Sequence, residues 1–171
     1  MSLPIYQASV PALLQMLDSL SGLVDKAAAH CEARKIDPSV LIGYRLAPNM
    51  FAFARQIQVA TDNAKGIAAR LAGVPIPSLP DTETSFDELK ARIATVADFL
   101  KSLPAASFEN AETRAIVLKV GGHELNFTGA TYLFGFGLPN FYFHATTAYD
   151  ILRHAGVEIG KRDFLGAVPA H

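Results

Sequence analysis

The sequence has little cysteine, little net charge and no long apolar run. Cys31 is the single cysteine, which excludes an internal disulfide and any metal site built from clustered cysteines. Lys and Arg number 15 against 16 Asp and Glu, so the net charge of -1 offers no basic surface to nucleic acid. Nowhere do about eighteen apolar residues follow one another, and residues 1–10 lack a signal-peptide pattern. These absences predict a cytoplasmic protein that binds neither nucleic acid nor a membrane.

The chain does contain enough apolar sequence for one well-packed domain. Hydrophobic residues make up 50% of it and charged residues 18%, proportions typical of globular rather than disordered proteins. A chain of this length buries roughly two-thirds of the surface that its unfolded form exposes. Because no internal repeat or domain-scale linker interrupts the sequence, we expect a single domain over residues 1–171.

Four segments carry apolar residues in alternating steps of three and four, the spacing that places side chains on one face of a helix. Ser9 is the expected N-cap of the first helix, and Gly73 and Gly156 follow the second and fourth. Ser85 and Glu88 have the spacing of a capping box before the third. The apolar rows are Leu13, Leu17, Leu20, Val24 and Ala27; Phe53, Ile57, Ala60, Ala64, Ile67 and Leu71; Phe86, Leu89, Ile93, Val96 and Leu100; and Leu138, Phe141, Ala145, Ala148 and Leu152.

The apolar period changes to two between the third and fourth rows. Apolar residues alternate over residues 116–120 and again over residues 125–127, with Gly121-Gly122 between the two runs. Such a pattern indicates a β-hairpin. Gly135-Phe136-Gly137 reads as a turn, since the strand–loop–helix framework of a dinucleotide site is absent. The predicted fold class is therefore all-α: an antiparallel four-helix bundle with a small β-hairpin inserted before the last helix.

Two stretches carry a resemblance to a known family. They are Asn-Phe-Tyr-Phe-His-Ala-Thr-Thr-Ala-Tyr-Asp-Ile-Leu-Arg at residues 140–153 and Gly-Val-Glu-Ile-Gly-Lys-Arg-Asp-Phe-Leu-Gly at residues 156–166. Together with the order of elements, they make the chain resemble the DinB/YfiT-like superfamily, which includes metalloenzymes. In particular, it resembles an uncharacterised bacterial branch, a domain of unknown function with a hairpin before the last helix. The resemblance covers nearly the whole chain and implies the bundle fold, but the branch has no assigned reaction.

The resemblance also implies a metal site, which this sequence does not complete. Metal-binding members of the superfamily use one histidine of the second helix and an H-x-x-x-H pair on the fourth. His144 matches the first histidine of the pair, but Ala148 stands four residues later and residues 48–71 contain no histidine. Zinc, nickel or iron at His144 would need replacement donors, such as His123 or His30. We therefore expect a degenerate metal site.

A second, polar stripe runs beside the apolar rows of the second and fourth helices. Asn49, Gln56 and Asn63 recur every seven residues, and Asn140 and His144 are four residues apart. Buried amides and imidazoles are costly unless hydrogen-bonded, so these side chains either satisfy one another or bind a ligand. We predict a small polar pocket between the two helices, lined by Asn49, Gln56, Asn140 and His144.

Two functional hypotheses follow. In the first, the bundle binds a small molecule or assembles as a homodimer; the chain has 11 phenylalanines to fill a core or an interface, and the resemblance implies dimerisation. In the alternative, the chain is a metal-dependent enzyme of the thiol S-transferase or isomerase type, as the wider superfamily implies. Such an enzyme would use the metal to lower the pKa of a thiol. The missing histidines favour the first hypothesis.

Overall fold

The computed structural model describes residues 3–167, which are mostly helical with one small antiparallel sheet. Within this part of the chain, no helix combines the length and the apolar character needed to cross a membrane. In chain order the elements are α1 (Ile5–Arg34), α2 (Pro38–Ile42), α3 (Phe53–Ala72), α4 (Phe86–Ser102), a 3-10 turn (Ala105–Phe108), β1 (Ala115–Val120), β2 (His123–Thr128), α5 (Gly129–Tyr132), a π-helical segment (Leu133–Gly137), α6 (Leu138–His154) and α7 (Lys161–Leu165).

Local sequence explains most of the helix boundaries. The predicted capping box of α4 is confirmed: the Glu88 amide donates to Ser85 Oγ (3.2 Å), and the Ser85 amide donates to the Glu88 carboxylate (3.0 Å). Gly73 ends α3 in the left-handed region, with φ of 71°. The prediction of Ser9 as an N-cap was wrong, because α1 begins at Ile5 and the Ser9 hydroxyl donates to the Ile5 carbonyl inside the helix (2.7 Å). Ile5 is itself buried, so core packing extends the helix past the serine.

The antiparallel arrangement predicted for the four long helices does not hold for α3 and α4, which run parallel, and this is why the link between them is long. Near their starts the rings of Phe53 and Phe86 lie 6.4 Å apart, and farther along both helices Arg92 donates to the Thr61 hydroxyl (2.7 Å). Parallel neighbours need a connection that returns along their length, as in other bundles with crossover links. Residues 73–85 supply it.

The β-hairpin before the last helix is confirmed. Val120 pairs with His123 next to the turn, and Ala115 pairs with Thr128 at the open end. Gly121 and Gly122 have φ of 57° and 81°, a combination that side-chain-bearing residues adopt only with strain. The hairpin therefore has the two-residue turn that the Gly-Gly pair predicts.

The connection from the hairpin into α6 is helical throughout. The prediction of a turn at Gly135-Phe136-Gly137 was wrong, since residues 133–137 form a π-helical segment that joins α5 to α6 without a break. A Cβ at Gly137 would lie 2.9 Å from Ile67 Cγ1 of α3. The glycine thus allows the two helices to approach each other closely, and this contact between distant residues is invisible in the local pattern.

The C-terminal segment packs along α1. Lys26 pairs with Asp163 (2.6 Å), and the Gln15 amide donates to the Leu165 carbonyl (2.8 Å). Of the single domain predicted over residues 1–171, the first two residues and residues 168–171 lie outside the described part of the chain.

Candidate functional site

The candidate site lies between α3 and α6, the two helices on which the polar stripe was predicted. Gln56 of α3 contacts His144 of α6, with 2.7 Å between Oε1 and Nδ1. Toward the other end of α3, Arg70 donates to the hydroxyl of Tyr132 (3.1 Å), a residue that precedes α6 in the chain. The two helices therefore run in opposite directions. His144 of α6 lies against the first turn of α3.

A chain of hydrogen bonds fixes the proton on the His144 ring. The Gln56 amide nitrogen donates to the Phe51 carbonyl (3.2 Å), which can only accept. The Gln56 amide oxygen therefore faces the imidazole, and since that oxygen also can only accept, His144 Nδ1 must carry the hydrogen. This tautomer leaves the lone pair on Nε2.

His144 Nε2 is open to solvent and uncharged. It has no hydrogen-bond partner among residues 3–167, and no side-chain nitrogen or oxygen in that range is both buried and unpartnered. Burial of the ring lowers the pKa of His144 below its ordinary value, and the positive charge of Arg55 lowers the pKa further. Near neutral pH the imidazole is thus a neutral acceptor, suited to bind a hydrogen-bond donor or to remove a proton.

Aromatic rings stand on two sides of the imidazole. The Phe51 ring stacks on it with centroids 6.3 Å apart, and the Phe143 ring meets it edge-on at 5.1 Å. Both phenylalanines are exposed, by 50% and 58%. The Arg55 guanidinium lies over the Phe51 ring at 5.6 Å and also pairs with Asp81. The site therefore combines an acceptor, two apolar walls and a nearby cation.

The structure brings together only two of the four residues predicted to line the pocket. Asn49 is exposed in the loop before α3, and the Asn140 side-chain amide donates to the Phe136 carbonyl of the preceding π-helical segment (2.7 Å). Gln56 and His144 make direct contact. Sequence reasoning missed Phe51, because it precedes α3 and belongs to no apolar row.

The residues around His144 do not fit the metal site that the resemblance implies. Within residues 3–167, no three His, Cys, Asp or Glu side chains lie close enough together to hold a metal ion. His30, considered as a replacement donor, lines a surface depression with Val157 and Glu158. His123 lies in the hairpin at the start of β2. Since the side chain facing His144 is an amide, the donor set differs from three imidazoles in both number and type.

Replacing Arg55 with Gln is expected to raise the pKa of His144, since the guanidinium charge helps to lower it. The measurement is an NMR titration of the histidine side chains, with Lys101→Gln as a control that removes an equal charge from the exposed face of α4. Because the folded-state pKa lies below the unfolded value of about 6.5, the stability contribution of His144 is present above that pH and lost as the pH falls. An equal His144 pKa in the Arg55→Gln and wild-type proteins would contradict this electrostatic account.

Comparison with known proteins places this geometry in a family context. A family model described as a domain of unknown function, DUF1993, matches residues 5–165. The crystal structure of a DinB family member protein from Shewanella denitrificans, at 1.83 Å resolution, is similar with a TM-score of 0.91. The two sequences are 43% identical, and the similarity covers 98% of this chain and 94% of that chain. No curated protein matches. The matched residues include both helices that form the site.

Proposed function

The chain belongs to the DUF1993 family of DinB-like proteins, and on that basis we propose that it binds a small molecule at His144. We further infer that α1, α3, α4 and α6 form one four-helix bundle of the DinB/YfiT-like kind. Ligand sites of such bundles lie between facing helices, where side chains of two helices converge. The contact between Gln56 and His144 is such a convergence.

The open Nε2 of His144 carries the proposal. Gln56 already occupies Nδ1, whereas Nε2 faces solvent with no partner among residues 3–167, so it is available to accept a hydrogen bond from a ligand in place of water. A ligand that donates a hydrogen bond would satisfy it. The exposed rings of Phe51 and Phe143 favour a flat, largely apolar body beside that donor. Phenols, enols and N–H heteroaromatic compounds have this combination of features.

The positive charge of Arg55 influences which hydrogen-bond donors bind at His144. Burial of the ring lowers the pKa of His144, and the positive charge of Arg55 lowers that pKa further. A donor that shares its proton with Nε2 gains partial negative charge, and a nearby cation favours such a group. We therefore expect acidic donors such as phenols to bind more tightly than alcohols of similar size.

The alternative function is a metal-dependent enzyme of the thiol S-transferase or isomerase type, with zinc, nickel or iron at His144. The open Nε2 could serve as one ligand. The lack of two further donors within residues 3–167 makes this the second choice.

Self-association is part of the proposal. Phe143 and Phe134 are exposed by 58% and 57%. We propose that the chain forms a homodimer that covers at least one of these two rings, because burial of an aromatic ring stabilises association. A homodimer would also partly shield the region around His144, since Phe143 contacts that ring.

Titration with 4-fluorophenol tests the proposed site. The fluorine NMR signal should report binding to the wild type, and the His144→Ala variant should bind roughly two- to tenfold more weakly, as expected for one neutral hydrogen bond. His154→Ala is the matched control, since His154 is exposed on the same helix. Binding should also shift the Nε2 resonance of His144.

Two further measurements on the same samples separate the alternatives. Equal affinity of the wild type and His144→Ala would refute the ligand site. About one zinc, nickel or iron per chain in chelator-free protein, lost in His144→Ala, would favour the metal-dependent enzyme instead. A strictly monomeric molar mass at micromolar concentration would refute the homodimer and leave the ligand test unaffected.

A further inference from the structure

A cavity lies farther along α3, on the side of the β-hairpin. Its volume is about 320 Å³, near the lower end of the range for small-molecule pockets. Its first lining residue on α3, Val59, is three residues from Gln56, about 4.5 Å along the helix axis, and neither Gln56 nor His144 belongs to its wall. Its wall includes Val59, Asn63, Arg70, Lys119, Tyr132 and Phe136.

A glycine in the middle of α3 allows Arg70 to reach this cavity in its observed position. A Cβ at Gly66 would lie 2.6 Å from Arg70 Nη1, because the guanidinium folds back over the glycine. Glycine is unfavourable in a helix interior, so its presence there needs a reason, and room for Arg70 supplies one. The guanidinium lies 5.7 Å from the centroid of the Tyr132 ring and donates to the Tyr132 hydroxyl.

Part of the hydrogen-bond donor capacity of two residues at the cavity, Arg70 and Tyr132, has no acceptor within the described chain. Arg70 makes no ion pair within residues 3–167, and its one side-chain hydrogen bond there goes to Tyr132. The Tyr132 side chain is almost fully buried, and its oxygen accepts that bond, so its own O–H hydrogen lacks an acceptor among the same residues. Burial raises the pKa of Tyr132 despite the opposing charge of Arg70, so the hydroxyl stays protonated.

The charge around the cavity favours an anion. Asp62 is the acidic residue in its wall, and that carboxylate is already paired with Lys65 (2.9 Å) and Arg92 (2.7 Å). Lys119 on the strand side is opposite Glu124 in the hairpin, but their charged groups are not within ion-pair distance. Arg70 and Lys119 therefore contribute positive charge that no carboxylate of residues 3–167 neutralises by pairing.

We propose that this cavity binds the carboxylate of a small organic acid with a flat apolar body. Arg70 and Tyr132 would donate to the carboxylate, in the charge-assisted geometry that guanidinium groups favour. The Phe136 ring, which stacks on the buried Tyr132 ring with centroids 6.2 Å apart, and the side chain of Val59 provide the apolar surface for the rest of the ligand. This site is independent of the one proposed at His144.

Benzoate is the probe that tests the proposal, with benzamide as its uncharged analogue. Amide chemical shifts of the full-length protein should change around Arg70 and Tyr132 on addition of benzoate, while the His144 ring stays unaffected. Arg70→Gln should lower the affinity by at least roughly tenfold, as expected for a hydrogen bond to a charged group. Arg153→Gln, which removes an exposed arginine of α6, should leave it unchanged.

Gly66→Ala distinguishes loss of the site from loss of the fold. Alanine favours the helix, so the melting temperature should stay equal or rise, whereas the new Cβ displaces Arg70 and should weaken benzoate binding. Tyr132→Phe should weaken binding while keeping the ring. The proposal is wrong if millimolar benzoate does not bind, if benzamide or inorganic phosphate binds as tightly, or if Gly66→Ala and Arg70→Gln bind like the wild type.

Discussion

Replacing Arg92 with Met is expected to lower the free energy of unfolding by about 3–5 kcal/mol. The Arg92 side chain is 1% exposed and pairs with Glu83 (2.9 Å) and Asp62 (2.7 Å). It also donates to the Thr61 hydroxyl and the Pro80 carbonyl. Its loss would leave a largely buried carboxylate at Glu83 without its cation, which costs more than the pair itself contributes. Urea unfolding measures the change.

Two controls make the Arg92 result specific. Arg55→Met removes an arginine whose pair with Asp81 is exposed, so it should cost less than about 1 kcal/mol. Adding Glu83→Gln to Arg92→Met removes the unpaired charge and should recover part of the lost stability. Equal effects of Arg92→Met and Arg55→Met would contradict the idea that burial makes the Arg92 network costly to break.

The same network predicts how acid destabilises the fold. Burial alone would raise the pKa of Glu83, but hydrogen bonds from Arg92 and Gln58 and the charge of Arg92 together hold the pKa below its ordinary value. The stabilisation is therefore present above the unfolded-state pKa of about 4.3 and is lost as the pH falls through the folded-state pKa.

Replacing Gly129 with Ala is the second substitution with a large expected effect, a loss of about 3 kcal/mol. A Cβ at this position would lie 1.7 Å from the Ala111 carbonyl oxygen, which is backbone and cannot rotate away. The neighbouring Ala130 amide donates to the Glu112 carbonyl (3.0 Å), so the two segments are also held together by a hydrogen bond. Thermal unfolding measures the loss.

Gly135→Ala is the matched control for this glycine. It lies in the same helical connection, but a Cβ added there would meet nothing within 4 Å, so alanine should be neutral or slightly stabilising. If both substitutions left the melting temperature unchanged, the close approach between Gly129 and residue 111 would not contribute to the stability of the fold.

Features that depend on neighbouring residues were predicted well. The capping box of α4, the end of α3 at Gly73 and the Gly-Gly hairpin all agree with the structure, because caps and turns are decided within a few residues. Two local predictions were wrong, the N-cap at Ser9 and the turn at residues 135–137, because packing overrides local preference there. Burial of Ile5 in the core extends α1 toward its N-terminus. At Gly137, the close approach to Ile67 of α3 occurs where the chain stays helical instead of turning.

The candidate site was predicted in part. Seven-residue spacing on one helix and the resemblance on the other pointed to Gln56 and His144, which do meet. The same spacing suggested Asn49, which is exposed because it lies before the helix begins. Family membership is confirmed by the matching family and the similar crystal structure.

The sequence by itself determined the type of the four long helices and of the two strands, the apolar face of each long helix and the absence of strong net charge. Only the tertiary structure decided which polar groups meet: Gln56 with His144 across 88 residues, and Arg70 with Tyr132 across 62. The physical reason is that periodicity specifies a face but not the direction or rotation of the helix packed against it. These depend on the parallel course of α3 and α4 and on the close approach at Gly137, which arise when the whole core assembles.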